Sequence, residues 1–393
     1  MLFASPRNDG LLRGLLPPPY PPQAEIPPNA GRECAPGSKT SKTLPFYQHD
    51  NALPHRAFSF SDRQISGAGV PRSHWDEELK TILAELSALP ANLIVRASSE
   101  IAIAARLGWQ PLMHNLGGVS GAEPIYVRDL ALMRRNPDYA WLFLFHPNGH
   151  AREAALDAIQ TPPTSPFFLA ALAWRLNDWA EPVRRAAERC VRRILNLIDP
   201  KVAADTSMYL LGRRLAWGRW SNEADTLDAM FAREDVLAAV AARLRGGANG
   251  PLGKCLRNAL RFGGIDAHLP ELAANALQPL VRAIAHQCLL SGQARWIVGF
   301  EWAWIDKVYG LRQRVPKYAS RAVDCDAPFD QLIWQAARDT SVVVRRIAAD
   351  ALIADHAPIL DEDRLIAYFA GDANPSVRAR ADFLHRRGQR AAP

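Results

Sequence analysis

The amino-acid sequence predicts an all-α protein: helical hairpins in series, preceded by a proline-rich tail. Two observations predict it. The apolar pattern changes abruptly at Ser73, and beyond that point a short motif returns at a fixed interval.

Residues 1–72 contain PPPYPPQAEIPP, NAGRECAPGSKTSKT and SDRQISGAGVP. Proline at this density removes backbone donors and cannot continue a helix, and the apolar residues have no period. The segment is therefore expected to be a disordered tail. PPPYPP would favour the extended polyproline helix that small recognition domains bind. The first residues make a poor signal peptide, because Asp9, Gly10 and Arg13 break the apolar run.

Ser73, with Asp76 three residues on, forms a capping-box-like start. Leu79, Ile82, Leu83, Leu86 and Leu89 then share one helical face. From there nearly every segment has the helical period, punctuated by Pro, Gly, Asn or Asp, and no run of alternating β-branched residues stands out. Residues 73–393 are expected to form one helical domain.

Four segments share a pattern: HPNGHAREAALDAI from 146, NDWAEPVRRAAERCV from 177, RDTSVVVRRIAADALI from 338 and GDANPSVRARADFL from 371. In the last three, Asp178, Asp339 and Asp372 stand six residues before Arg184, Arg345 and Arg378, each arginine following a valine. The first copy keeps the spacing, with His146 and Arg152. Arg152 to Arg184 is 32 residues and Arg345 to Arg378 is 33, a period characteristic of helical-hairpin repeats. The aspartate turns the chain, and Val183, Ala186, Ala187 and Cys190 form the buried stripe of the second helix. The arginine, one step off that stripe, can reach the turn aspartate of its own or the adjacent repeat. Repetition favours a stacking role for these arginines over a ligand role, because a site is usually built once.

This D…VR..A pattern resembles the second helix of the HEAT-repeat family. The resemblance implies a right-handed α-solenoid whose second helices line a concave surface. It speaks for a fold, not for an activity.

Composition narrows the function classes. The formal charge is +7 and the isoelectric point about 9.3, which permits an acidic protein or nucleic acid as partner without demanding one. Five scattered cysteines without a CxxC pair argue against a disulfide framework or zinc site and fit a reducing cytoplasm. No apolar run approaches the ~18 residues of a membrane span. GANGPLGKC, 247 to 255, has Ala248 where a phosphate loop needs glycine and Cys255 where it needs Ser or Thr, so a turn between helices is expected. His146 and His150 flank a Pro-Asn-Gly turn and form no ligand pair, and no metal or cofactor is expected.

Two candidate binding regions remain. In VRRAAERCVRRIL, Arg184, Arg185, Arg189, Arg192 and Arg193 lie opposite the apolar stripe, and the resemblance would turn them into the groove. The second region is RWIVGFEWAWIDKVYG, 295 to 310, with Trp296, Trp302 and Trp304. As a helix it would place Trp302 and Asp306 on one face, with Trp304 on the apolar side and Lys307, Arg312 and Arg314 alongside. Core filling at a joint between repeats ranks first for these tryptophans, binding second and catalysis last.

The expected function is a non-enzymatic scaffold that binds a protein partner in a concave, partly basic groove. The alternative is a DNA-binding enzyme similar to the HEAT-like alkylpurine DNA glycosylases, which place tryptophans and an aspartate in a groove. Asp306 and Trp302 would then carry the chemistry.

Overall fold

A computed structural model describes residues 72–108, 125–220, 222–324, 327–354 and 359–391. They belong to one compact unit, 66–393. The expectations placed on residues 1–71, and on Cys34 and Cys325, lie outside the described residues.

The chain opens with α1 (Arg72–Ser87), α2 (Ile94–Ala104), α3 (Ile125–Arg135) and the single turn α4 (Ala140–Phe143). Next come α5 (Gly149–Ala158), α6 (Pro166–Leu176), α7 (Glu181–Ile194), α8 (Pro200–Leu210) and α9 (Glu223–Phe231). α10 (Glu234–Gly246), α11 (Leu252–Ala259), α12 (Leu269–Asn275) and α13 (Pro279–Ser291) complete the middle. Two antiparallel strands follow, β1 (Gln293–Asp306) and β2 (Leu311–Ala322). The chain closes with α14 (Phe329–Ala337), α15 (Val342–Ile353), α16 (Glu362–Ala370) and α17 (Pro375–Ala391).

The described residues are thus mostly helical, and the expectation of an entirely helical body is corrected by the two-stranded sheet. Consecutive helices pair as α6 with α7, α12 with α13, α14 with α15 and α16 with α17. Second helices also pack on one another, α5 against α7, α13 against α15 and α15 against α17. The stripe expected in α7 is buried, with Val183, Ala186, Ala187 and Cys190 sealed from solvent, and small residues there let neighbouring helices approach. In α1, Leu79, Ile82 and Leu86 are buried as the helical period requires.

The repeated arginine has a specific geometry. Its Nη1 donates to its own turn, to the carbonyls six and five residues back. Arg345 reaches Asp339 O and Thr340 O at 3.0 Å each, and Arg378 reaches Asp372 O and Ala373 O at 2.8 Å each. The other edge of the guanidinium faces forward, to the turn carboxylate of the next repeat. Arg152 Nε and Nη2 donate to Asp178 at 3.0 and 2.9 Å, and Arg345 Nε and Nη2 donate to Asp372 at 2.6 and 3.1 Å. The carboxylate also accepts from the amide two residues ahead, Ala180 for Asp178 and Asn374 for Asp372, which shapes the turn. The ion pair therefore runs between repeats while the carbonyl bonds hold the repeat's own turn.

His146 occupies the aspartate position of the first copy and keeps half of the device. Its Nδ1 accepts from the Asn148 amide at 2.9 Å, two residues ahead, which leaves the ring proton on Nε2 to donate to Asp129 at 2.9 Å.

One copy escapes the sequence pattern. Arg282 in α13 follows a valine, binds Ala276 O at 2.8 Å behind it, and reaches forward to Asp339 at 2.7 and 2.9 Å. Arg282 and Asp339 are 57 residues apart, against 27 for Arg345 and Asp372. The hairpin 293–322 accounts for the 30-residue difference. It is an insertion between α13 and α14, and the Arg282–Asp339 link closes across its base.

Two predictions follow from this packing. Arg345→Ala is expected to destabilise the fold by about 1–3 kcal/mol, read by urea unfolding, because it strands the Asp372 carboxylate and two carbonyls. An unchanged midpoint would remove the stacking role. The second concerns His286, fully buried in α13, where burial pushes its pKa down to about 4. The unfolded chain, with an ordinary value near 6.5, binds the proton first, so stability is full above pH ~6.5 and falls as pH drops toward 4. The loss is on the order of 3 kcal/mol, and His286→Leu should flatten that part of a pH–melting profile.

Candidate functional site

The tryptophan segment is neither helix nor core. Residues 293–306 form β1, and Lys307–Gly310 make the turn into β2. Asp306 Oδ1 accepts from the Val308 and Tyr309 amides at 2.8 and 3.1 Å, and Gly310 takes the left-handed conformation (φ 67°) that lets the chain reverse. The base of the hairpin is held by the arginine device in another form. Arg321 donates to both oxygens of buried Asp266, at 2.5 and 2.7 Å, and to the carbonyls of Leu260 and Phe262. Asp266 also accepts from the Asp324 amide. Ala294, opposite Arg321, is buried against the helices.

Beyond that anchor the hairpin stands in solvent. Trp302 is 68% exposed and Trp304 45%, and Phe300, Ile305, Val308, Tyr309 and Leu311 are also exposed. These residues do not fill a joint between repeats, so the first-ranked expectation is corrected. The pairing assigns each side chain to a face. Trp302 opposes Arg314, Trp304 opposes Arg312 and Phe300 opposes Pro316 on one side. Glu301, Ala303 and Asp306 oppose Val315, Gln313 and Leu311 on the other. A strand's period of two would leave Trp302 and Asp306 together, but the bulge at Ile305 adds a residue and turns Asp306 to the far face. Trp302 and Asp306 are separated, and the Asp306 carboxylate is engaged in the turn.

The face with the tryptophans is an aromatic–cation ladder. The Arg312 guanidinium lies 3.7 Å from the Trp304 ring centre, and Arg314 lies 4.5 Å from that of Phe300. Nearer the base Arg295 stacks on Tyr318 at 5.2 Å. Lys307 is exposed in the turn. The structure therefore brings together Trp302, Arg312 and Arg314 from the sequence candidates, with Lys307 at the tip, and sets Asp306 apart.

The α7 arginines have partners. Arg189 binds Asp157 at 2.9 and 3.2 Å, Arg192 binds Glu188 at 2.7 Å, and Arg185 pairs with Glu181. Arg184 reaches Glu223 and Arg193 the carbonyls of Leu156 and Ile159. This face is basic in sequence but largely neutralised in place. Asp178, four residues after Trp174, accepts from Arg152 twice, from Arg175 and from the Ala180 amide, and is buried.

Other chemistry is sparse. An open cleft of about 390 Å³ lies between the starts of α5 and α7, bordered by exposed Trp179 with His150 and Glu153. Among the described residues no cluster of His, Cys, Asp or Glu could hold a metal ion, and no helix is long and apolar enough to cross a membrane. Burial pushes the thiols of Cys190, Cys255 and Cys288 up to about 12, so they stay protonated and unreactive. Of GANGPLGKC, expected as a turn, only GANGP, 247 to 251, lies between α10 and α11; LGKC begins α11, where Gly253 lets the helix meet Leu280 of α13. The chain matches no family model, no curated protein and no solved structure.

Sequence reasoning missed Phe300 and Pro316 as ladder members. The signal was present: Phe300, Trp302 and Trp304 alternate, as do Arg312 and Arg314, and Asp306 and Gly310 bracket a turn. Trp302→Ala and Trp304→Ala are each expected to cost under about 1.5 kcal/mol in urea unfolding. Trp141→Ala, in the buried core, should cost about 3–5 kcal/mol. A core-sized loss at either hairpin position would place that indole in the packed interior.

Proposed function

We propose that the chain is a non-enzymatic scaffold, a HEAT-like right-handed α-solenoid that holds the inserted hairpin 293–322 out to a protein partner. The exposed hairpin carries this reading. Of the large apolar side chains exposed among the described residues, Val298, Phe300, Trp302, Trp304, Ile305, Val308, Tyr309 and Leu311 fall within 14 consecutive positions. Tryptophan, tyrosine and arginine, the types that dominate interface energetics, are concentrated there. A lone two-stranded hairpin is marginal in water, and this one gains its order from its anchored base, which leaves the tip free to meet a partner. The arginine–aspartate links on either side of the hairpin support the solenoid reading.

The contact surface thereby moves from the α7 face to the hairpin. The glycosylase reading loses support at its candidate carboxylate, since Asp306 is held in the turn away from Trp302.

Replacing residues 296–319 with Asn-Gly preserves the Arg295–Ser320 pair and the Arg321 anchor and closes the strands with a favoured two-residue turn. The melting temperature is expected to change by no more than about 4 °C. In cross-linking within the native host, the full chain should capture a protein that the shortened chain does not. Equal capture by both would return the contact to the helical faces.

A further inference from the structure

Resting on the hairpin as the contact element, we infer that its partner presents an acidic segment in extended conformation, laid along the face that carries Phe300, Trp302 and Trp304. The charge of the hairpin is one-sided. Residues 293–322 hold six basic side chains against two acidic ones, a net +4 in a chain of +7. Both acids, Glu301 and Asp306, lie on the far face, and the cations of that face are Lys317 and Arg321, the latter engaged by Asp266. The ladder face carries Arg295, Arg312 and Arg314 and no acid.

Arg312 and Arg314 are held ready. A guanidinium lying flat on an aromatic ring keeps its N–H groups in plane and directed outward, while the ring limits its motion. Among the described residues neither one meets a carboxylate, whereas Arg185, Arg189 and Arg192 of α7 all do. The acceptors that would complete these two forks must come from another molecule. Two residues apart on one strand, the forks repeat at about 6.8 Å, and an extended segment with acidic residues at alternate positions repeats at the same distance. Trp302 lies opposite Arg314 and is the most exposed ring of the ladder, an apolar anchor for a side chain of the same partner.

Docking on the face is favoured over addition of a third strand. Pro316 removes a donor from the open edge of β2, and the bulges at Val298 and Ile305 interrupt β1. A nucleic-acid duplex fits less well. The rings of Trp304 and Phe300 already carry guanidiniums, which leaves little platform for bases, and exposed Ile305, Val308 and Leu311 suit a protein surface.

The test uses the full chain and fluorescence anisotropy of labelled peptides about 16 residues long, at about 50 mM salt. One peptide alternates Glu and Thr; one has the same composition with the acids in a block; one alternates Lys and Thr. The alternating acidic peptide is expected to bind at least roughly tenfold more tightly than either control. Arg312→Gln with Arg314→Gln should weaken it at least roughly tenfold at an unchanged melting temperature. The two lysine replacements should recover only part of the loss, since lysine has no planar fork. The inference is overturned by absent binding, by equal binding of the alternating and block peptides, or by indifference to the double glutamine variant. It is equally overturned if duplex DNA displaces the peptide at lower concentration. Should the peptides fail while capture of a protein still depends on residues 296–319, this inference falls and the hairpin reading stands.

Discussion

The guanidinium that joins one repeat to the next is the constraint on which the rest of the structure depends. A helical hairpin buries only part of its apolar surface alone, so the array needs its units in a fixed relation. Arg152, Arg282 and Arg345 supply it by dividing the donors of one planar group. One edge closes the turn behind, and the other binds the carboxylate of the turn ahead. Because Asp178, Asp339 and Asp372 also accept from amides two residues on, the loop that presents the carboxylate is shaped by the same contact. The Arg345 guanidinium holds the Asp372 carboxyl below its ordinary range, as expected for a charge-assisted bond to a mostly buried acid. Lysine, a point donor, could not serve both edges.

This device explains how the array tolerates a 30-residue interruption. The Arg282–Asp339 link and the packing of α13 on α15 connect repeats that flank the hairpin in sequence, so the stack draws on the inserted strands only at their anchored base. The hairpin in turn borrows its order from the array through Arg321 and Asp266, a pair that repeats the logic of arginine against a buried, multiply bonded carboxylate. Beyond the anchor, no helix constrains the strands. That separation lets a run of tryptophan, tyrosine and aliphatic residues stand in solvent without weakening the fold.

The distribution of paired charge follows the same division. In the helical body many arginines are matched, within a helix as for Arg192 and Glu188, or across helices as for Arg189 and Asp157. Such exposed pairs add little stability but cancel the field that free cations would project. On the ladder face of the hairpin the arginines stack on rings instead, and a ring neutralises nothing. Three arginines without a carboxylate partner among the described residues, Arg295, Arg312 and Arg314, therefore share one face of the element that also carries the densest run of exposed large apolar side chains.

Most of the helical architecture was legible in the sequence. Helical periodicity fixes which face is buried, which placed the Val183–Cys190 stripe, and a motif of Asp, Val and Arg at constant spacing marked the turns. The arginine's role was also legible, though not the choice between its own aspartate and its neighbour's, because that depends on how far one turn lies from the next. Arg282 went unread because no aspartate precedes it; only stacking revealed that it shares the role. The tryptophan segment shows the larger limit. Its aromatics satisfy a helical spacing and a strand alternation equally, and a single bulge at Ile305 decides whether Asp306 lies beside Trp302 or behind it. Local pattern determined the helices, the turns and the stripes, since these depend on neighbours within a few residues. Which carboxylates stay free, which cations are matched and which rings face water depends on partners tens of residues away, and only the tertiary structure decided those.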